Sequence, residues 1–337
     1  MNHGKYVFAQ ITEFLPKRVF DCIVFKYSGD KGVRFFSCWN QLLCMFFGQL
    51  TNRDSLRDLI VAIEAHDKKT YHLGFGKSVT RSNLSKANEN RNSKIFEEFA
   101  YCLIDIAQSK LKSENFEIKG KVYAFDSTTI DLCLNVFWWA KFRKTKGGIK
   151  LHTLYDVTTQ IPAFIHVTAA TVNDVNAMDV IPYESGAYYI FDRGYVDYAR
   201  LYRITLLSAY FVVRAKSNLQ FRRIYSLKVD KSSGVQSDQI GKLTGFYVSK
   251  DYPDKMRKVK YYDSEMNRTF VFLTNNMSLT AQEIALLYKN RWQVELFFKW
   301  IKQHLKIKAF WGNTENAVRI QIYTAMSFPI FESVIFA

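Results

Sequence analysis

Between residues 122 and 214 the chain alternates short apolar runs with helical stretches, in the order three strands, helix, strand, helix, strand. That succession predicts an α/β fold with an RNase H-like core. Two observations agree with it. Asp126 and Asp192 each close an apolar run, and Glu295 is a lone acid among cations on a late helical stripe. A β-rich insertion separates the stripe from the core, and an N-terminal helical domain precedes it. The expected boundaries are 1–115, 116–218, 219–276 and 277–337.

The N-terminal segment reads as helical. Phe35 to Leu50 is rich in Phe, Leu and Cys, which predicts a buried helix. Thr51 is a plausible N-cap for a helix from Asn52 to Ala65, where Leu56, Leu59, Ile60 and Ile63 recur at helical spacing. The stretch Ser78 to Lys86 starts a short helix, and a second follows from about Ser93 to Gln108. Two such helices with exposed Arg and Lys are compatible with helix-turn-helix DNA binding, and equally with an ordinary helical pair.

In the core, Val122 to Phe125 forms the first strand. Gly148 to Thr158 and Ile161 to Ala170 form a pair rich in Val, Ile, Thr and Phe. Asn173 to Val180 is a short helix, Tyr188 to Phe191 a buried strand, Val196 to Leu207 a helix and Tyr210 to Arg214 a strand. From about Leu219 to Asn275 apolar and polar residues alternate between turn formers such as Gly234, Gly241, Gly245 and Pro253, the pattern of a β-rich insertion. Thr280 and Glu283 then form a capping-box pattern that opens the last marked helix.

Composition bounds the function. The 337 residues carry 47 Lys and Arg against 31 Asp and Glu, a net charge of +16, with 48% hydrophobic and 16% aromatic residues. This is a folded chain suited to a polyanionic partner, nucleic acid before an anionic membrane. No uncharged apolar run reaches the roughly 18 residues of a membrane span. Met1 to Phe20 holds no stretch like a signal peptide, so a cytoplasmic location is expected. Cys22, Cys38, Cys44, Cys102 and Cys133 are odd in number and lack a Cys-x-x-Cys, which predicts reduced thiols and any metal held by oxygen. No phosphate-binding glycine loop is present to support nucleotide hydrolysis.

The residues that carry chemistry are few. Tyr288, Arg291, Glu295 and Lys302 fall at i, i+3, i+7 and i+14, and on a single helix would project within about 60° of one another. Leu287, Val294, Phe297, Phe298, Ile301 and Leu305 occupy the adjoining, core-facing side. If the strands ending at Asp126 and Asp192 are neighbours, the two acids face one another and need a cation between them. Glu295 would complete an all-oxygen site for Mg²⁺, with Mn²⁺ as a substitute. Two such ions can activate a water or a 3′-hydroxyl at a phosphodiester. Tyr288, Arg291 and Lys302 would hold phosphates, with Lys299 at the stripe's margin and Arg193 beside Asp192 as weaker contacts.

Each feature also has a plain reading. A strand-terminal Asp is often a cap, and Arg291, Glu295 and Lys299 could be i,i+4 surface pairs. Three acids in the order one fold requires weigh against it. Phe137-Trp138-Trp139 with Lys141, Arg143, Lys144 and Lys146 fits either a DNA-gripping loop or a hydrophobic anchor with a solvated tip. Arg193 and Tyr195 either touch phosphate or buttress the turn at Gly194. His152, His166 and His304 show no metal-type spacing.

Tyr288-x-x-Arg291-x-x-x-Glu295-x-x-x-x-x-x-Lys302 resembles the Tyr-Arg-Glu-Lys signature of bacterial DDE transposases of the insertion-sequence-four group. Asp126 in Ala-Phe-Asp-Ser-Thr-Thr and Asp192 in Phe-Asp-Arg-Gly-Tyr look like that family's catalytic aspartates, and Glu295 like its glutamate. The N-terminal helical segment, including Arg81 to Asn92, resembles the domain that precedes the catalytic core in many such proteins, and DNA binding is expected of it. The resemblance implies Mg²⁺-dependent cut-and-paste transposition: cleavage at terminal inverted repeats, hairpin excision and strand transfer into target DNA. It also implies a homodimer in a synaptic complex and a nucleoid-associated protein with no membrane partner. Relatives continue through further helix, whereas this chain ends at Phe328 to Ala337, with Pro329 expected to break helix propagation. A truncated copy acting as a DNA-binding repressor is therefore one alternative, and an RNase H-like nuclease or resolvase another.

Overall fold

The computed structural model describes residues 6–66, 73–75, 79–111, 118, 120–133, 135–143, 146–305 and 310–336, with backbone alone at 141–143, 146 and 334–336. Its N-terminal part is helical: α1 (Val7–Thr12), α2 (Lys17–Lys26), α3 (Cys38–Leu50), α4 (Leu56–Glu64), α5 (Arg81–Asn90) and α6 (Lys94–Lys110). Ser37, Ser55 and Thr80 cap α3, α4 and α5, each accepting the backbone N–H three residues on. The cap of α4 is thus Ser55 and not Thr51. The Thr51 hydroxyl instead donates to the Phe47 carbonyl as α3 ends, and Asn52 turns the chain with φ +57°, which no helix start can use. A buried hydrogen bond of 2.7 Å from Gln41 to Asn88 ties α3 to α5.

The rest is built on one sheet. Its elements are β1 (Val122–Leu132), β2 (Lys141–Arg143), β3 (Lys146–Asp156), β4 (Ile161–Ala169), β5 (Tyr188–Phe191), α7 (Tyr198–Leu206), β6 (Tyr210–Arg214), β7 (Phe221–Leu227), β8 (Val235–Leu243), α8 (Val248–Asp251), β9 (Met256–Asp263), β10 (Arg268–Thr274), α9 (Ala281–Lys289), α10 (Trp292–His304) and α11 (Glu315–Phe336). The strands lie in the order β2-β3-β1-β5-β6-β10-β9-β8-β7, with β4 on β3. β1 runs antiparallel to β3 and parallel to β5, and β5 parallel to β6. The stretch expected to be a helix after Asn173 is a single 3₁₀ segment, Asp174–Val180. The alternating stretch after Leu219 supplies β7 to β10, and β10 hydrogen-bonds to β6, so these strands extend the same sheet.

Strand alternation sorts the core into two layers. Val122, Ala124 and Ile190 point to the layer that holds the helices α3, α6, α9, α10 and α11. Tyr123, Phe125, Tyr189 and Phe191 point to the opposite layer, against α7. Helix α11 packs on α6, α3 and α5 and runs through Pro329 without a break. Phe328 and Phe331 flank the proline and both rest on Phe46 of α3, which holds the helix together across the missing N–H. Among the described residues no helix is long and apolar enough to cross a membrane, and the five cysteines are free thiols.

One buried ion pair sets the approach to α9. Arg257 donates to both carboxylate oxygens of Asp238, at 2.9 and 2.6 Å, and to the Leu279 carbonyl at 2.5 Å. Both side chains are almost fully buried. Thr280 and Glu283 then close the capping box that the sequence predicts. Removing one partner leaves a buried, unpaired guanidinium, so Asp238→Ala should cost about 3–5 kcal/mol. Urea unfolding of the variant beside the parent checks this; a loss below about 1 kcal/mol, the value of an exposed pair, would contradict it.

Candidate active site

The parallel register brings the two aspartates together. Phe125 of β1 lies opposite Phe191 of β5, so Asp126 and Asp192 follow side by side. With period two they share the face of Ala124 and Ile190, under α9 and α10. The sequence places Asp126 at a strand end. In fact β1 continues to Leu132 along β3, and only its pairing with β5 stops there. The acids still sit at the C-terminal mouth of a parallel strand pair, where open α/β sheets form their crevices.

The signature helix is two helices. α9 lies over β5, β6, β8 and β9, whereas α10 lies over β1 and β3. Asn290 and Arg291 make the turn between them, directly above the acids, through short bonds such as Arg291 N–H to the Tyr288 carbonyl at 3.0 Å. Both residues keep right-handed backbone angles. The apolar periodicity therefore runs through the turn with no glycine or proline to mark it.

This break changes what Tyr288 and Arg291 do. Tyr288 is buried, its ring 4.6 Å from that of Phe272, and its hydroxyl donates to Asp192 at 3.1 Å. Burial and the neighbouring Asp192 push the phenol up to about 12. Arg291 donates through Nη1 to Asp126 at 3.0 Å and through Nη2 to Glu295. Its Nε is buried without a hydrogen-bond partner. Burial acts to lower its pKa, but Tyr288, the hydrogen bond to Glu295 and the carboxylate charges of Glu295 and Asp126 outweigh that and raise it. The structure thus gathers Asp126, Asp192, Tyr288, Arg291 and Glu295. Lys299 is exposed and Lys302 half-buried, one and two turns beyond Glu295; Arg193 is exposed on the turn after Asp192.

Asp126 titrates high. Burial raises its carboxyl to about 6; the Ser127 N–H at 2.8 Å and the Arg291 charge pull the other way, and Glu295 and Asp192 add to the rise. Its neighbour Ser127 carries a support that the sequence pattern does not mark. On the opposite face of β1 the Ser127 hydroxyl donates to Asp174 at 2.7 Å, and Lys150 lies 3.2 Å from the same oxygen. Asp174 opens a 3₁₀ segment, where no periodicity could single it out.

Other expectations resolve differently. His152 and His166 pair across β3 and β4 inside the fold, with rings 6.1 Å apart. Phe137 is buried against Phe310, and Trp139 donates to the Asn313 carbonyl at 2.7 Å, while Trp138 is exposed. Lys144 lies outside the described residues, as do the side chains of Lys141, Arg143 and Lys146. Among the described residues no three His, Cys, Asp or Glu side chains are gathered closely enough to hold a metal as they stand. The Arg291 guanidinium bridges Asp126 and Glu295 instead.

A sheet with two acids at the mouth of parallel strands and a third on a covering helix is the frame of a phosphoryl-transfer enzyme. Residues 117–327 match the family model of the transposase DDE domain, and residues 3–76 that of a domain of unknown function (DUF4372). The chain belongs to the DDE transposase family and is a DNA transposase. It is 37% identical over 248 residues to a protein named as a transposase (y4zB) of Sinorhizobium fredii, covering 72% of this chain and 68% of that one. A protein of Geobacillus stearothermophilus, named as the transposase of insertion sequence element IS5377, is 31% identical, covering 59% and 52%. Another, of Synechocystis, named for element IS4SA, is 27% identical, covering 74% and 70%.

The raised Asp126 carboxyl makes a pH prediction. Its folded pKa, about 6, exceeds the ordinary carboxylate value near 4. The stability this gives is fully present below pH 4 and is lost as pH rises through 6. In chelator, Asp126→Asn should match the parent near pH 4 and exceed it by roughly 2–3 kcal/mol near pH 7.5 in urea unfolding. A difference independent of pH would contradict the assignment.

Proposed function

We propose that Asp126, Asp192 and Glu295 are the catalytic acids of this transposase and act on DNA at the ends of an insertion sequence. One observation carries the reading. The strand register, and a helix delivered from the far side of the sheet, bring together three carboxylates, the first and last of them 169 residues apart in sequence, and two of them share the Arg291 guanidinium. The order β4-β3-β1-β5-β6, antiparallel on one side of β1 and parallel on the other, supports an RNase H-like core. On this reading residues 1–115 form the DNA-binding segment, 116–218 and 277–337 the two parts of the core, and 219–276 the insertion.

The donor set fits a hard divalent cation, Mg²⁺ with Mn²⁺ as substitute: all three side chains offer oxygen, and the pKa of Asp126 registers the other two charges. When bound, the metal supplies charge for the developing oxyanion and a more acidic attacking hydroxyl. The chain's own residues do the rest. Tyr288 fixes the Asp192 oxygen by its hydroxyl. Arg291 bridges the half-buried Asp126 and the exposed Glu295 and, released from them, would be free to pair with a phosphate. Lys299 and Lys302, beyond Glu295 on α10, and Arg193, beside Asp192, would add further phosphate contacts.

The Tyr-Arg-Glu-Lys spacing and the relative named for IS4SA support membership of the insertion-sequence-four group. Cut-and-paste excision at terminal inverted repeats follows from that membership, as does a homodimer holding both ends in one synaptic complex with target DNA. Glu295→Gln keeps the shape and removes the charge. It should reduce nicking of a duplex carrying the element's terminal repeat on the order of a thousandfold, several kcal/mol of transition-state stabilisation. Binding of the same duplex, measured by anisotropy, should persist. Nicking at the parental rate would remove Glu295 from the site.

A further inference from the structure

Beyond Asp192 the sheet carries a groove of about 650 Å³ over β6, β8, β9 and β10. Arg193, Arg214, Lys216, Lys258, Lys260 and Arg268 line it, and no Asp or Glu does. Only Arg193 among them is marked by the sequence motifs. The strand pattern explains the crowding. Lys258 and Lys260 alternate along β9 with Arg257 and Val259, which turn into the opposite layer, and they lie across from Gln239 and Ser237 of β8. Lys258 and Lys260 thus share the α7-side face with Gln239 and Ser237, whereas Arg214, opposite Phe272, and Arg268 reach the groove from the α9-side face.

These cations are ordered by rings instead of by carboxylates. The Arg214 and Arg268 guanidiniums lie 5.8 and 5.5 Å from the Phe270 ring, and the Lys258 ammonium 4.7 Å from the Phe221 ring. Among the described residues none of the six forms an ion pair, and Lys216 donates to the Val196 carbonyl. Burial, Arg223 and Lys260 lower the pKa of Lys258, as expected where like charges stand without an anion. Such repulsion costs stability until a polyanion supplies the counter-charge.

The groove meets the acid site at its Arg193 end. Arg193 follows Asp192 directly, the charge of Arg214 is felt at Tyr288, and the Phe270 ring lies 6.2 Å from that of Tyr288. From β5 across to β8 is four strand spacings, roughly 19 Å. That length matches about five or six successive phosphates of one strand of a duplex, at about 3.4 Å each along the axis.

We propose that this groove is a phosphate track that holds the backbone of duplex DNA leading away from the acid site. The inference rests on the functional reading above and names a second contact surface for the same substrate. Each lysine in the track neutralises one phosphate and releases its counter-ion.

The test is anisotropy of a fluorescein-labelled mixed-sequence duplex over a KCl series, comparing the parent with Lys258→Gln/Lys260→Gln. The slope of log affinity against log salt should shallow by about 1.8, two contacts at about 0.9 each, and affinity should fall. Lys260→Glu, at an exposed position, should weaken binding in the same direction, with far-UV dichroism unchanged and the thermal midpoint no lower than the parent's. Parental slopes in both variants would overturn the track and leave the acid site standing. A parent that binds no duplex would overturn the functional reading together with the track.

Discussion

Four residue pairs between β1 and β5, from Val122 with Tyr188 to Phe125 with Phe191, decide where both aspartates emerge. Everything proposed for the site depends on that register. A slip of one residue would turn Asp126 into the layer of Phe125 and Tyr123, and would bring Phe125 out beneath α10. Two separate apolar layers resist such a slip, because every β1 side chain from Val122 to Phe125 is fully buried on its own side. The strands are short, but they are pinned on both faces.

Placing two carboxylates together inside a fold costs free energy, and the site offsets it with residues from the helical turn at Asn290 and Arg291. Arg291 answers Asp126 and Glu295, and Tyr288 answers Asp192. The turn is held in turn by the Arg257 and Asp238 pair and the Thr280 capping box, which fix where α9 begins. The part of the sheet beyond β6 thereby has two tasks. One face anchors the helix that completes the acid cluster, and the other carries Lys258 and Lys260 of the groove.

Much of this was legible in the residues. Apolar runs of four or five residues, such as Tyr188 to Phe191 and Tyr210 to Arg214, coincide with β5 and β6 because a strand buried on both faces has little choice of composition. The capping box before α9 was legible because it is a local, reciprocal pair of hydrogen bonds. The break between α9 and α10 was not, since Asn290 and Arg291 keep helical angles and interrupt no periodicity. The spacing therefore predicts a displayed Tyr288, whereas the side chain is buried. Asp174 and the groove were hidden for another reason. Their residues come together only through sheet pairing, and strand alternation across a 10-stranded sheet cannot be ordered from one sequence. Pro329 misled because tertiary packing on Phe46 outweighs a local propensity.

The central claim is that Asp126, Asp192 and Glu295 form one cation site in which Arg291 is the resident counter-charge. Free Mn²⁺ followed by electron paramagnetic resonance, in titrations of the parent and of Asp192→Asn, tests it without any DNA. The account expects the parent to bind Mn²⁺ and the variant to lose at least about tenfold in affinity, roughly 1.4 kcal/mol. Equal Mn²⁺ affinity in the two proteins, both folded by circular dichroism, would contradict it.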